Sequence, residues 1–346
     1  MTKPSYICFV AGRSGGHIVP AQTLVQHYKK NNPEIKIIFF STHTIVDTSL
    51  LQHQQNIDTC IYLDLENFPH KKIHRYPTFV WQLIKAFFKS LYYLIRFRPK
   101  KIIAMGGYIS IPICVVGWLL RIERELFELN VVPGKATQFL KPVINRFALC
   151  FKEAITYLPK NKCYIKQYPV RFSQATKNIP KKEALATMTF LSSRKTIMIL
   201  GGSQGSAFIN NIIKQWIEEN PSLHNQIQII HQTGLLHDKF ELDDFYAKYA
   251  IPAFVFDYYH ELEYCYQAAD IIVCRSGAGT LFEVNFFEKP CITIPLETPS
   301  TRHQYYNALS MTHKKPDIFT LITQKELQTN TRLLGDKINS HLLKQK

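Results

Sequence analysis

The chain has no Cys-x-x-Cys pair, no Asp-x-Asp, no Gly-x-Gly-x-x-Gly and no apolar run of bilayer length, and each absence removes a class of protein. Its eight cysteines (Cys8, Cys60, Cys114, Cys150, Cys163, Cys265, Cys274, Cys291) have no metal-ligand spacing and read as reduced core residues. Without Asp-x-Asp, a divalent cation has no obvious ligands, so no metal is expected. Without the dinucleotide fingerprint and its trailing acid, a nicotinamide-dependent oxidoreductase is disfavoured. The longest apolar stretch, 108–120, is too short to cross a bilayer and contains Pro112. No basic segment followed by an apolar run opens the chain, so a cytoplasmic address is expected. Acidic residues are also scarce, 26 against 42 Lys and Arg, for a net charge of +16. Residues 1–170 carry +14 of it. That half meets something negative: nucleic acid, an anionic membrane face or a phosphorylated substrate. No nucleic-acid reading motif is present, and the basic excess accompanies aromatic helices rather than a stacking sheet, which leaves the membrane and the phosphorylated substrate.

Two glycine-rich turns stand about half a chain apart. Gly12-Arg13-Ser14-Gly15-Gly16-His17 follows the apolar run Tyr6-Ile7-Cys8-Phe9-Val10, and Gly201-Gly202-Ser203-Gln204-Gly205 follows Thr196-Ile197-Met198-Ile199-Leu200. Each run reads as a buried central strand handing over to a helix. Such a corner leaves backbone N–H groups unpaired and converging, with the helix dipole behind them, and favours phosphate. Glycine at such corners also serves packing alone. Strand-like runs at 35–40, 60–63 and 101–105 alternate with helix-like runs at 21–30, 79–97 and 141–148. A second cycle runs through 228–232, 253–256, 271–274 and 291–295. The rhythm is that of two α/β doubly wound domains. Residues 164–194 read as the linker, and 325–346 as a closing helix without caps.

The segment 79–97 stands apart as a basic amphipathic helix. Phe79, Val80, Leu83, Ile84, Phe87, Phe88, Leu91, Leu94 and Ile95 recur at helical spacing, with Lys85, Lys89 and Arg96 on another face. Core packing and docking on an anionic membrane, with Trp81, Tyr92 and Tyr93 at headgroup depth, are both open to such a helix.

Chemistry concentrates at the corners. His17 sits at the mouth of the first, a general-base position, although a histidine there also serves as a cap. A third small-residue corner, Gly106-Gly107-Tyr108, follows a strand in the same half and widens the surface offered to a diphosphate. In the second half, Cys274-Arg275-Ser276-Gly277-Ala278-Gly279-Thr280 runs from a strand into a helix and places Glu283 about one turn inside, where a carboxylate suits a ribose diol or simply the helix dipole. With no metal, amides and Arg171 would neutralise a leaving phosphate.

These residues occur in one order: Gly15-Gly16-His17 with Pro20-Ala21, Gly106-Gly107-Tyr108, Pro169-Val170-Arg171, Gly201-Gly202-Ser203-Gln204-Gly205, Arg275-Ser276-Gly277-Ala278 through Glu283, and Gln304 with Asn307-Ala308. In them the chain resembles the MurG family, the N-acetylglucosaminyltransferases of peptidoglycan synthesis, over roughly residues 5 to 310. The resemblance implies a GT-B fold of two facing Rossmann-like domains with a cleft between them. Residues 1–168, joined by a C-terminal helix 330–346, would take the lipid-linked muramoyl-pentapeptide acceptor at the cytoplasmic face of the plasma membrane, as a peripheral protein. Residues 169–329 would take UDP-N-acetylglucosamine. It further implies that Arg171 and Gly202, Ser203, Gln204 and Gly205 hold the donor diphosphate, that Ala278, Gly279 and Thr280 line it, and that Glu283 binds ribose. The backbone near Tyr259 would meet uracil, and His303 and Gln304 the sugar, with Asn130 nearby. Ser14, Gly15 and Gly16 are placed beside the donor, and with His17, Arg13, Gly106, Gly107 and Tyr108 they form the acceptor-diphosphate surface. The reaction is inverting, with His17 as base, Glu128 as a second catalytic group and no cofactor.

The chain departs from the family pattern at Arg13, where glycine is usual, at Phe127 and Leu129 flanking Glu128, and at Thr301 and His303. Arg13 either supplies a cation to the acceptor diphosphate or obstructs a turn that needs positive φ. A related GT-B enzyme that glycosylates diacylglycerol would share most of the donor residues.

Overall fold

The computed structural model describes all residues except 1–3, 53–54, 67–68, 70–72, 203, 235–238, 299–300 and 344–346. The chain divides into two units, Met1–Arg171 and Phe172–Lys346.

The first unit runs β1 (Tyr6–Val10), α1 (Gly15–Asn31), β2 (Lys36–Thr42), α2 (Ile45–Leu51), β3 (Thr59–Leu63), α3 (Tyr76–Phe97) and β4 (Lys101–Ala104). It continues with α4 (Ser110–Leu119), β5 (Glu123–Glu128), α5 (Lys135–Leu140), β6 (Arg146–Leu149) and β7 (Cys163–Ile165). All seven strands are parallel, in the order β3-β2-β1-β4-β5-β6-β7. A parallel sheet is covered on both faces, so its central strands are apolar at every position. On β1, Cys8 and Val10 enter a core with Ala86, Leu94, Ile113 and Val116 of α3 and α4. Phe9 points the other way, edge-on to Tyr28 of α1 at 5.8 Å.

The second unit runs α6 (Gln174–Lys177), α7 (Lys181–Ala186), β8 (Lys195–Leu200), α8 (Ala207–Glu219), β9 (Ile227–Gln232), α9 (Lys239–Lys248), β10 (Ala253–Phe256) and α10 (Leu262–Ala268). It closes with β11 (Ile271–Cys274), α11 (Ala278–Phe287), β12 (Cys291–Thr293), α12 (His303–Lys314), β13 (Phe319–Leu321), α13 (Gln324–Thr329) and α14 (Arg332–Leu343). Its parallel sheet has the order β10-β9-β8-β11-β12-β13, so both units wind outward from their first strand in the same way. Each sheet therefore has a switch point, β1 against β4 and β8 against β11, where successive helices leave to opposite sides and open a crevice at the strand ends.

Four expectations are corrected. Residues 141–148 are not one helix: the helix is α5, before them, and 146–149 form strand β6, set by Asn145, whose side chain accepts from Arg124 N at 2.9 Å. Residues 164–194 are no loose linker. They contain β7, α6 and α7, with Ala184 and Leu185 buried and Gln267 of α10 donating to the carbonyl of Thr176 at 3.1 Å. The region 325–346 has a cap, since Thr323 and Glu326 form a reciprocal capping box on α13. Finally, α14 packs on the second unit: Leu334 and Ile338, both 0% exposed, lie in one core with Ile197, Ile213 and Trp216. Gly335 permits that contact, because a Cβ there would stand 2.5 Å from Trp216 Cδ1.

Strand β5 went unread because Glu123, Arg124 and Glu125 give it a surface composition. Arg124 and Glu125 are nonetheless buried and hydrogen-bonded there. Glu125 meets Lys101 and accepts from Tyr164 Oη at 2.5 Å, and Arg124 Nε donates to Val143 O at 2.6 Å. The L334A substitution should lower the stability of the second unit by about 2–5 kcal/mol, the cost of a cavity in a dry core. Thermal or urea unfolding of the variant checks this, and an unshifted transition would mean that α14 is a dispensable appendage.

Candidate functional site

Helix α1 begins at Gly15, at the end of the first corner, so His17 lies in its first turn. The corner after β4 turns through Gly106 (φ +84°) and Gly107 (φ +75°), two consecutive left-handed residues that few side chains would tolerate. A Cβ on Gly107 would lie 3.6 Å from His17 Nδ1, so the imidazole lies against that backbone. The two corners flank the first switch point. Tyr108 is half-buried and edge-on to Phe79 of α3, 6.2 Å between ring centres, which joins the corner to the long aromatic helix.

Arg13 does occupy a left-handed position, φ +67°. A non-glycine residue there carries strain of the order of 1 kcal/mol. Two anchors offset it. The buried carboxylate of Asp47 accepts from Arg13 N at 2.7 Å, and Arg13 Nη1 donates to Leu65 O at 2.6 Å. The arginine thus braces the turn against the end of the β3 segment. Neither sequence alternative holds in full: the turn does need positive φ, and one guanidinium nitrogen is committed to protein.

Glu128 ends β5 at 4% exposure. Its Oε1 accepts from Asn130 N at 3.1 Å and Asn130 Nδ2 at 3.4 Å, and its Oε2 from Thr137 Oγ1 at 2.8 Å. Burial outweighs these donors and raises its pKa to about 7. The geometry is that of a carboxylate organising the β5–α5 loop, with Asn130 turned toward it, rather than of an acid facing substrate. Phe127 and Leu129, 1% and 3% exposed, point into core on either side, which is why apolar residues suit those positions.

In the second unit the helices α8 and α11 follow the adjacent strands β8 and β11, so two helix N-termini stand side by side at the switch point. Ser206 caps α8, accepting from Ile209 N at 3.3 Å. Of the sequence-derived donor residues, Gly202, Gln204 and Gly205 form the turn ahead of that cap, and Ser203 lies outside the described residues. Ala278, Gly279 and Thr280 form the first turn of α11, whose leading N–H groups lack intrahelical partners. Glu283 follows on the same helix, 8% exposed, its Oε2 accepting from Tyr266 Oη at 2.9 Å. His303 opens α12, and burial lowers its pKa. Gln304 spends its amide oxygen on Leu296 N at 3.0 Å. Thr301 is likewise used within the chain, its Oγ1 donating to Leu296 O at 2.5 Å. Tyr259 is half-buried beyond β10, against Phe254 and Phe256. Arg171, half-buried, is the last residue of the first unit.

The sequence reading missed Gly234. It follows β9 at φ +79°, and a Cβ there would collide with the backbone of Gln204 and Gly205, so the residues ahead of α8 rest on it. Nothing around Gly234 in the sequence announces this, because the contact spans 29 residues. Tyr266 and Asp47 escaped notice for the same reason. Among the described residues no three His, Cys, Asp or Glu side chains gather as a metal would require.

Two doubly wound domains with amide-lined corners at their switch points give the chain the GT-B architecture, and its family makes it a glycosyltransferase. Residues 7–149 match the glycosyltransferase family 28 N-terminal domain, and residues 196–345 the family 28 C-terminal domain. The chain is similar to the UDP-N-acetylglucosamine–N-acetylmuramyl-(pentapeptide) pyrophosphoryl-undecaprenol N-acetylglucosamine transferase of Protochlamydia amoebophila, with 30% identity over 308 residues, 86% of this chain and 78% of that one. It is 28% identical to the same enzyme of Thermodesulfovibrio yellowstonii over 338 residues, 98% and 90% of the two chains. The fold is similar to that of Acinetobacter baumannii MurG, with a TM-score of 0.69, 21% identity and coverage of 97% and 90%. The chain belongs to this transferase family.

Glu128 makes a pH test available. Its pKa is near 7 folded and near 4.5 unfolded, so the folded chain holds the extra proton between those values and stability falls as pH rises through that window. The full cost, roughly 3 kcal/mol, is expressed above pH 7. E128Q should therefore lose less stability than the wild type between pH 5 and pH 8 in thermal unfolding; parallel profiles would show that the carboxylate is ionised throughout.

Proposed function

We propose that the chain transfers N-acetylglucosamine from UDP-N-acetylglucosamine to the 4-hydroxyl of the muramoyl sugar in undecaprenyl-pyrophosphoryl-N-acetylmuramoyl-pentapeptide, with inversion at the anomeric carbon. The observation that carries this reading is the similarity across both domains to transferases of that name, together with the paired N-termini of α8 and α11. In the second unit the turn through Gly202 and Gly205 and the first turn of α11 receive the donor diphosphate, and Glu283, held by Tyr266, takes the ribose hydroxyls. His303 and Gln304 serve the sugar, and Tyr259 the base. In the first unit Gly106, Gly107, Tyr108, Arg13 and the turn Ser14-Gly15-Gly16 receive the acceptor diphosphate.

The muramoyl oxygen attacks the anomeric carbon, the bond from that carbon to the UDP oxygen breaks, and His17 accepts the hydroxyl proton. Amides and helix dipoles take up the charge released on UDP, so the step calls for no metal and no cofactor.

An undecaprenyl acceptor is membrane-borne, and among the described residues no helix is long and apolar enough to cross a membrane. The docking element in this reading is α3. One face of it is buried through Phe79, Ala86, Ser90 and Leu94, and Tyr93 is half-buried against Phe97 and Phe40 rather than at the rim. The other face leaves Val80, Trp81, Ile84, Phe88, Tyr92 and Ile95 between 41% and 61% exposed. Lys85 and Arg96 flank this stripe and would add about 1 kcal/mol each on an anionic surface. Peripheral attachment at the cytoplasmic face of the plasma membrane follows, since the UDP-sugar donor is a cytoplasmic metabolite.

The decisive assay offers labelled UDP-N-acetylglucosamine with either the muramoyl lipid or diacylglycerol. Transfer to the muramoyl lipid is expected; transfer to diacylglycerol alone would reassign the enzyme to glycolipid synthesis. The double variant W81A/F88A should bind anionic vesicles roughly 10- to 100-fold more weakly. Equal sedimentation of variant and wild type with such vesicles would remove α3 from the membrane contact.

A further inference from the structure

Arg275 follows β11 directly and is 8% exposed. Its guanidinium donates five hydrogen bonds. Nε and Nη2 reach Ser206 Oγ at 3.1 and 2.7 Å, and Nη1 reaches Ile294 O at 3.2 Å, Pro295 O at 3.3 Å and Gln324 Oε1 at 2.5 Å. Its other neighbour is the ring of Phe208, 5.7 Å away. Every acceptor is neutral. A buried cation matched only by hydroxyl, carbonyl and amide oxygens is costly, and a neutral network linking the same segments would avoid most of that desolvation.

The bonded segments explain why a cation is kept there. Ser206 ends the phosphate turn and caps α8. Ile294 and Pro295 lead out of β12 into the stretch where Leu296 is bonded to Gln304 and Thr301. Gln324 opens α13. One planar fork thus ties the turn before α8 to the segment that leads into α12, two pieces of backbone more than eighty residues apart. A lysine, with one nitrogen, does not span the same acceptors.

We propose that Arg275 is a positioning residue for the nucleotide diphosphate: through Ser206 and the carbonyls of Ile294 and Pro295 it holds the end of the phosphate turn and the 294–296 segment in one fixed relation, and its charge lies behind the amides that meet the anion. The proposal rests on the donor reading above. It assigns to Arg275 an effect on donor affinity without contact with donor.

The test is calorimetry with UDP on the full chain, using R275K, R275M, S206A and the double variant R275K/S206A, beside steady-state kinetics with both substrates. R275K should weaken UDP about tenfold and R275M more, because lysine restores the charge but not the fork. The KM for the sugar nucleotide should rise while that for the acceptor lipid stays constant. The double variant should bind little worse than R275K, since both changes cut the same link. Variants that melt lower yet bind UDP as the wild type does would reduce Arg275 to core support, and multiplicative losses in the double variant would place the two residues in separate roles. If the Arg275 variants do not fold, S206A alone decides: a severalfold loss of UDP affinity supports the link, and unchanged affinity overturns it. A wild-type chain that takes up no UDP would defeat the donor assignment itself, a result distinct from wild-type binding that the variants leave untouched.

Discussion

The structure depends on bringing backbone amides, unscreened by side chains, to the open ends of two parallel sheets. A parallel sheet places every helix N-terminus at its carboxyl edge, and a doubly wound order parts two of them at the switch point. The amides converge there only if the chain turns sharply and neighbouring segments come within backbone contact. Gly234 against Gly205 and Gly201 against Ser206 are places where that approach leaves no room for a larger residue, since a Cβ there would run into the neighbouring backbone nitrogen. The convergence of the amides follows from this packing.

The corners are made rigid by different means in the two units. In the first, the strained Arg13 is held by the Asp47 carboxylate and by Leu65 O, and the β5–α5 loop by the Glu128 carboxylate, so buried acids do the bracing. In the second, a buried cation, Arg275, binds neutral oxygens from three segments. The signs suit the proposed ligands. The first unit carries an excess of lysine and arginine over acids and can bury acids beneath it. The second unit has almost no net charge and keeps its cation close to the turn.

Helix α3 shows how one element serves core and surface. Its apolar residues exceed what a single stripe requires, so the buried face completes the first core while the opposite face remains aromatic and exposed. Through Phe79 and Tyr108 the same helix touches the Gly106-Gly107 corner. In the proposed reading, an acceptor headgroup bound at that corner would sit beside the helix assigned to the bilayer.

The doubly wound rhythm, the two glycine corners, the family motifs and the charge asymmetry were all determined by the sequence alone, because buried parallel strands and tight strand-to-helix turns are local demands met by local residues. Other features were decided only by the tertiary structure. Strand β5 is a strand because its charges find Lys101, Tyr164 and the carbonyl of Val143; 146–149 pairs with it instead of continuing a helix; and α14 belongs to the second core because Gly335 admits Trp216. The bracing residues Asp47, Gly234 and Tyr266, and the bracing role of Arg275, were hidden for the same reason: each acts on a partner 17 or more residues away, and such a contact leaves no periodicity or spacing in a chain read one segment at a time.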